Sequence, residues 1–313
     1  MKIRRALGSW GLVSVVYFAA LLWLDSRTGV LGQLPRLASV LPALVAATLV
    51  SLVLRFLRWH WLLRRAGYGV PLVSSALAYV AGFAFTATPG KVGELLRLRY
   101  LVPLGVPASR VIGAFVYERL FDLLAVLLIA LPAAAEFQVF GVAASFVALV
   151  GAVVVVAALN PRLALRVAVV LRKLRLTRVS RIVRAVGGGM KDVRLWVTPL
   201  DVGVSLVAGL AAWGLAAGAF VVLLDSLGIP MGLVKAMALF PVAMLAGAAS
   251  MLPGGLGSTE ATIVALLTLG GAALGPASLA AVGIRLTTLW LATVLGMACF
   301  ASLELLRAKR AVV

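Results

Sequence analysis

Pro89-Gly90-Lys91-Val92-Gly93-Glu94 and Pro253-Gly254-Gly255-Leu256-Gly257-Ser258-Thr259-Glu260 decide how this chain is read. Each puts a proline, glycines and then a carboxylate inside a stretch apolar enough to be buried in a bilayer. Proline removes a backbone donor and collides with the preceding turn, and glycine loosens the helical backbone, so both stretches break a helix. Irregular backbone at membrane depth survives where it is buried in protein or lines a wet cavity. Two such interruptions in matching positions of two halves point to a substrate site near the bilayer midplane. The expectation is a transporter-like, all-α polytopic membrane protein, an inverted repeat of helices with two re-entrant broken-helix hairpins.

Composition points the same way. Of 313 residues, 63% are hydrophobic and 12% charged, with a mean hydropathy of +1.13. Apolar runs long enough to cross a bilayer recur throughout, and no polar block of globular-domain size interrupts them. The basic N-terminus and the apolar run at 6–24 resemble a signal peptide. They lack a small-residue cleavage site, and Asp25-Ser26-Arg27 follows directly, so the segment is read as a retained first helix. Cys299 is the single cysteine, which excludes a disulfide framework and a thiol metal site. No metal or cofactor is expected. His60, among Arg58, Trp59 and Trp61, fits an interfacial aromatic belt.

The net charge of +19 is not read as a nucleic-acid signal, because the basic residues gather in the connections on one side of the membrane. Hydropathy predicts helices at roughly 8–24, 38–57, 72–88, 111–131, 139–159, 202–224, 232–251, 261–272 and 279–303. Arg4 and Arg5 put the N-terminus in the cytoplasm, and Arg55, Arg58, Arg64 and Arg65 are read as following the second span on that side. Arg97, Arg99 and Arg110 follow the first break, so residues 72–105 enter from the cytoplasm and return to it. Glu136 and Asp225 fall outside, and the second hairpin, about 232–272, enters from that outer side. Arg307, Lys309 and Arg310 bring the C-terminus back inside. The chain is thus expected to be one transmembrane domain over 1–313 in the inner (cytoplasmic) membrane. A first repeat covers about 38–132 and a second about 202–305, joined by a basic cytoplasmic connection at about 160–199. In that connection Arg162, Arg166, Arg172, Lys173, Arg175, Arg178, Arg181 and Arg184 interleave with leucines and valines. This fits an amphipathic helix on the inner leaflet, where each basic side chain contributes about 1 kcal/mol. It fits a simple topology anchor equally well.

The halves align beyond the two motifs. The first proline and the second of the matching glycines, Gly93 and Gly257, both recur 164 residues later. Pro107-Ala108-Ser109 corresponds to Pro276-Ala277-Ser278, Arg119-Leu120 to Arg285-Leu286, and Gly69-Val70-Pro71 to Gly228-Ile229-Pro230. With the hairpins on opposite leaflets, this is the architecture that permits alternating access.

Charges inside spans cost about 2.5–3.5 kcal/mol each on insertion scales, so they pair or face a cavity. Glu94, Arg97, Glu118, Arg119, Asp122, Glu260 and Arg285 are the candidates. Glu118 and Asp122 share a helical face, with Arg119 about a quarter-turn away. Glu260 and Arg285 are the only charges between Lys235 and Glu304, so they pair with each other or with Glu94 and Arg119. Two readings stand side by side. In one, the arginines tie carboxylates and unwound carbonyls into a fixed scaffold. In the other, Arg119 and Arg285 offer a guanidinium fork to a lipid phosphate. Backbone amides around Gly90, Gly93, Gly254, Gly255 and Gly257 then add donors, and Glu94 and Glu260 titrate or exchange partners. Together with Pro89 and Pro253, these residues form the candidate headgroup-binding or gating set.

At these positions the chain resembles the lysylphosphatidylglycerol synthetase-type transmembrane family. That is the flippase-like domain of bacterial multiple-peptide-resistance proteins and their stand-alone relatives. Arg58-Trp59, Pro89-Gly90-x-x-Gly93-Glu94, Glu118-Arg119-x-x-Asp122 and Pro253-Gly254-Gly255-Leu256-Gly257-x-x-Glu260 carry the resemblance across essentially the whole chain. It implies movement of a lipid or lipid-linked molecule between leaflets. In fused members that lipid is an aminoacylated phosphatidylglycerol made by a cytoplasmic domain. No such domain is expected here, so aminoacyl transfer is not carried over. The implied partners are membrane lipids, whether anionic phospholipid or lipid-linked glycan, with a synthase partner and a homo-oligomer both open. Gly187-Gly188-Gly189-Met190-Lys191 lacks the spacing and the hydroxyl of a phosphate-binding loop, so ATP hydrolysis is not expected. Two other functions remain on the table: a membrane-embedded transferase with Glu118 or Asp122 as base, and a docking scaffold for a soluble synthase.

Overall fold

A computed structural model describes residues 29–86, 89–133, 193–250 and 252–312, with isolated positions elsewhere. The helices expected at 8–24 and 139–159, the position of Glu136 and most of the 160–199 connection lie outside the described residues. Among the described residues every regular element is helical. Three helices are long and apolar enough to cross a membrane: Leu41–Arg65, Pro199–Ser226 and Leu274–Ala308. Leu72–Phe85 and Leu233–Ala249 are apolar but short. At 1.5 Å per residue neither covers the ~30 Å hydrocarbon core.

The Leu41–Arg65 helix shows how the chain sorts its residues. Leu49, Val50, Val53 and Leu57 face outward, whereas Thr48, Ser51, Arg55 and Arg58 are buried. The buried polar set recurs at three- and four-residue spacing, so one polar stripe faces the interior and an apolar surface faces lipid. That corrects the sequence expectation for Arg55 and Arg58. The helix does not end near residue 57 but continues to Arg65, carrying both arginines inside the protein.

Pro199–Ser226 packs along Leu41–Arg65 and against Ala108–Ala130. Gly209 allows the close approach: a Cβ there would lie 3.3 Å from both the Ala125 methyl and Arg58 Nη1. Its first turn is fixed by Thr198, whose hydroxyl accepts the Asp201 amide at 3.2 Å, with Pro199 at the first helical position. The Asp201 carboxylate in turn accepts Trp61 Nε1 at 2.9 Å and Arg65 Nε at 3.0 Å. Trp196, fully buried, donates to the Leu62 carbonyl at 2.9 Å, and Tyr117 donates to the Trp196 carbonyl at 2.9 Å. These bonds lock one end of three helices together. His60 sits at this end, ring to ring with Phe56 at 5.8 Å and 3.3 Å from the Ser75 hydroxyl.

Two buried apolar clusters result. One gathers Phe220, Leu223, Leu239, Phe240 and Ile284, the other Trp59, Tyr79, Phe83, Phe85, Tyr117 and Trp196. The final helical run, Leu274–Arg285 and Leu291–Val312, is joined through a π turn at Leu286–Trp290. Thr288 donates its hydroxyl to the Ile284 carbonyl at 2.6 Å, competing with the backbone ladder at that turn. Cys299, half-buried in this run, is a free thiol.

Candidate functional site

The first Pro-Gly segment folds as a 3₁₀ helix over Pro89–Leu96 and passes directly into Arg97–Leu101. Gly93 is required there by crowding: an added Cβ would run into the Phe85 carbonyl oxygen. The next residue, Glu94, is completely buried. It accepts Arg97 Nη2 at 3.0 Å and the Thr86 hydroxyl at 3.3 Å, with Arg119 Nη1 at 3.6 Å.

Arg97 then reaches the next helix, donating Nη1 to Glu118 at 2.8 Å. Its guanidinium lies 4.0 Å from the centre of the Tyr79 ring and 4.6 Å from that of Trp59. Aromatic faces carry partial negative charge, so they replace part of the hydration the guanidinium has lost. The Tyr79 hydroxyl donates to the other Glu118 oxygen at 2.6 Å. Asp122, one turn on, accepts Arg58 Nη2 at 2.6 Å and lies 3.0 Å from Arg119 Nη2. Arg119 also stands 3.1 Å from Glu118. Three arginines and three carboxylates thus form one interior cluster in which each charge meets its opposite. A buried ion is tolerated only when paired and hydrogen-bonded in this way.

The second Pro-Gly segment is built differently. Gly254, Gly255 and Gly257 take φ of 61°, 65° and 81°, the left-handed region that favours glycine. They turn the chain into the helix Ser258–Leu269, where Glu260 sits in the first turn. One Glu260 oxygen accepts the Gly257 amide at 2.9 Å, and the other accepts Arg285 Nε at 2.8 Å. Arg285 Nη2 also donates to the Gly254 carbonyl at 2.7 Å. Of the two pairings open for Glu260 and Arg285, the structure has them paired with each other.

The two segments, far apart in sequence, touch: Pro89–Leu96 packs against Pro253–Gly255. A cavity of about 90 Å³ opens beside this junction, with Glu94 on one side and Gly254 and Arg285 on the other. Thr48, Ser51, Arg55, Thr86, Trp213 and Thr288 add polar groups to its largely apolar lining. Such a volume admits several waters or one small polar group. Arg97, Glu118, Arg119 and Asp122 sit behind Glu94 rather than on this wall. The Arg119 guanidinium is directed at carboxylates, so of the expected fork only Arg285 reaches the cavity.

The sequence reading missed Arg55 and Arg58 as interior residues, and with them Tyr79 and Trp59. A signal was present: Thr48, Ser51, Arg55 and Arg58 follow one helical face, opposite Leu49, Val53 and Leu57. The family model described as lysylphosphatidylglycerol synthase TM region matches residues 11–296. Among curated proteins no match was found.

Proposed function

We propose that this chain, which belongs to the lysylphosphatidylglycerol synthase transmembrane-region family, moves a lipid bearing an anionic headgroup between leaflets. The route is the cavity where the two Pro-Gly segments meet. One observation carries this reading: both broken segments converge on one cavity whose largely apolar wall carries the charged side chains Arg55, Glu94 and Arg285. A cavity of this kind lowers the cost of drawing a headgroup through hydrocarbon, because its polar groups replace lost water.

In this reading the two segments are re-entrant hairpins of an inverted repeat, entering from opposite leaflets. Support comes from the short lengths of Leu72–Phe85 and Leu233–Ala249. It comes also from the packing of each against its own return helix, Arg97–Leu101 and Ser258–Leu269. Opposed hairpins around one site give each leaflet its own gate. This reading puts the protein in the inner membrane with both termini in the cytoplasm, supported by the arginines that stay on the surface, Arg64, Arg65, Arg99 and Arg307. The chain itself makes and breaks no covalent bond in this scheme.

Reconstitution tests it. Purified protein in vesicles carrying fluorescent phosphatidylglycerol is expected to expose inner-leaflet label to an impermeant quencher faster than protein-free vesicles. Identical rates across phosphatidylglycerol and glycolipid probes would overturn the proposal.

A further inference from the structure

Arg55 is the odd charge of the interior. It is 9% exposed and lines the cavity, with its guanidinium 4.5 Å from the centre of the Trp213 ring. Among the described residues no carboxylate lies within ion-pair distance of it. Its buried Nε has no hydrogen-bond partner, and neither has Trp213 Nε1 beside it. Arg58, Arg97 and Arg119 also leave Nε unbonded. Each of those, however, holds a carboxylate at 3.0 Å or closer.

The charge balance makes the point sharper. Arg58, Arg97 and Arg119 are matched by Glu94, Glu118 and Asp122, and Arg285 by Glu260. Arg55 is left over: the cavity wall carries one positive charge beyond what its described neighbours compensate. It lies within Coulombic range of Asp122, whose close contacts are with Arg58 and Arg119. Glu94, the one carboxylate on the wall, is held by Arg97 and Thr86. A buried unpaired cation is unfavourable by itself and becomes favourable when an anion joins it. The available donors, a guanidinium edge, an indole N–H and the hydroxyls of Thr48 and Ser51, suit the oxygens of a phosphate. Across the cavity, the Arg285 guanidinium adds positive potential next to a π turn, a feature found often at functional sites.

We propose that Arg55, with Trp213 beside it, is the binding site for a phosphodiester monoanion, that of a phospholipid headgroup. This rests on the transport reading above and supplies its headgroup contact. Binding removes the surplus charge and fills both unpartnered donors.

The full chain in detergent tests this by ligand-induced thermal stabilisation, since a ligand that binds only the folded state raises the melting midpoint. The probes are phosphatidylglycerol, inorganic phosphate and a phosphate-free diacyl glycolipid. Wild type is expected to be stabilised saturably by phosphatidylglycerol and not by the glycolipid. Arg55→Met is expected to need at least about tenfold more phosphatidylglycerol for the same shift, the loss of one charge-assisted hydrogen-bond set. Arg55→Lys, which keeps the charge without the planar fork, should fall between the two. Without ligand, Arg55→Met is expected to melt no lower than wild type, because it removes an unpaired buried charge. Equal phosphatidylglycerol dependence for wild type and Arg55→Met overturns the assignment, as does equal stabilisation by the glycolipid. Inorganic phosphate competing at the same concentration as the lipid overturns the lipid as its source. Phosphatidylglycerol binding that depends on Arg55 in a protein without leaflet exchange leaves the site standing and sinks the transport reading. Leaflet exchange that is unchanged in Arg55→Met does the reverse.

Discussion

The segments around Pro89 and Pro253 share a proline, glycines and a carboxylate, yet the protein spends very different resources on them. Glu94 belongs to a cluster of six charges spread over four helical elements and roofed by Trp59 and Tyr79. Glu260 has one cationic partner, Arg285, one backbone amide and the Tyr17 hydroxyl. The first segment is compact 3₁₀ backbone jammed against Phe85, whereas the second runs through three left-handed glycines. A dense network of buried ions resists rearrangement, because each charge that leaves strands its partner. A single clamp holding a glycine-rich turn strands fewer partners when it lets go. Within the proposed transport reading, the first segment would be the fixed wall and the second the moving gate.

The largest expected difference lies in the arginines. Arg97→Met leaves Glu94 and Glu118 short of a completely buried partner and is expected to cost about 3–5 kcal/mol, read as a collapse of the melting midpoint in detergent. Arg285→Met strands one carboxylate, Glu260, whose side chain is 14% exposed, together with the Gly254 carbonyl, and is expected to cost distinctly less. Equal losses would erase the distinction between wall and gate.

The glycines come next. Gly93→Ala forces a methyl into a backbone carbonyl and is expected to destabilise by about 1–3 kcal/mol. Gly257→Ala meets open space, so only its left-handed backbone resists, at about 1–2 kcal/mol. Chemical denaturation of the two variants side by side ranks them.

Glu260→Gln keeps an acceptor for the Gly257 amide and removes the charge opposite Arg285. It is expected to melt within a few degrees of wild type while leaflet exchange falls about tenfold, the worth of one charge-assisted bond in the switching step. A fall in stability as large as that of Arg97→Met would make Glu260 a part of the scaffold. The smallest effect is expected at Arg65, which bonds Asp201 outside both segments with its own side chain 44% exposed. Arg65→Ala should cost no more than about 1 kcal/mol and leave exchange unchanged.

Much of this asymmetry was hidden in the sequence, and the reasons are physical. Both breaks were legible because proline and glycine act on the local backbone, wherever the rest of the chain goes. The Glu260–Arg285 pair was legible as one of two pairings, since no other charge lies near either residue in the chain. Arg55 and Arg58 were not: arginines at the end of an apolar run look like a cytoplasmic flank, and only the polar stripe they share with Thr48 and Ser51 argues otherwise. The contact of Arg97 with the rings of both Tyr79 and Trp59 joins residues on three separate elements, and no local pattern encodes it. Arg119 and its match Arg285 meet different surroundings: Arg119 contacts Glu94, Glu118 and Asp122, whereas Arg285 pairs with Glu260 and also lines the cavity.

Filling the cavity tests the central claim most directly. Ala216 lines it without belonging to either charge cluster, so Ala216→Trp puts bulk into the route and leaves every ion pair in place. The account predicts a melting midpoint near that of wild type, with exchange of fluorescent phosphatidylglycerol slowed to the rate of protein-free vesicles. A folded Ala216→Trp protein that exchanges lipid at the wild-type rate would contradict it.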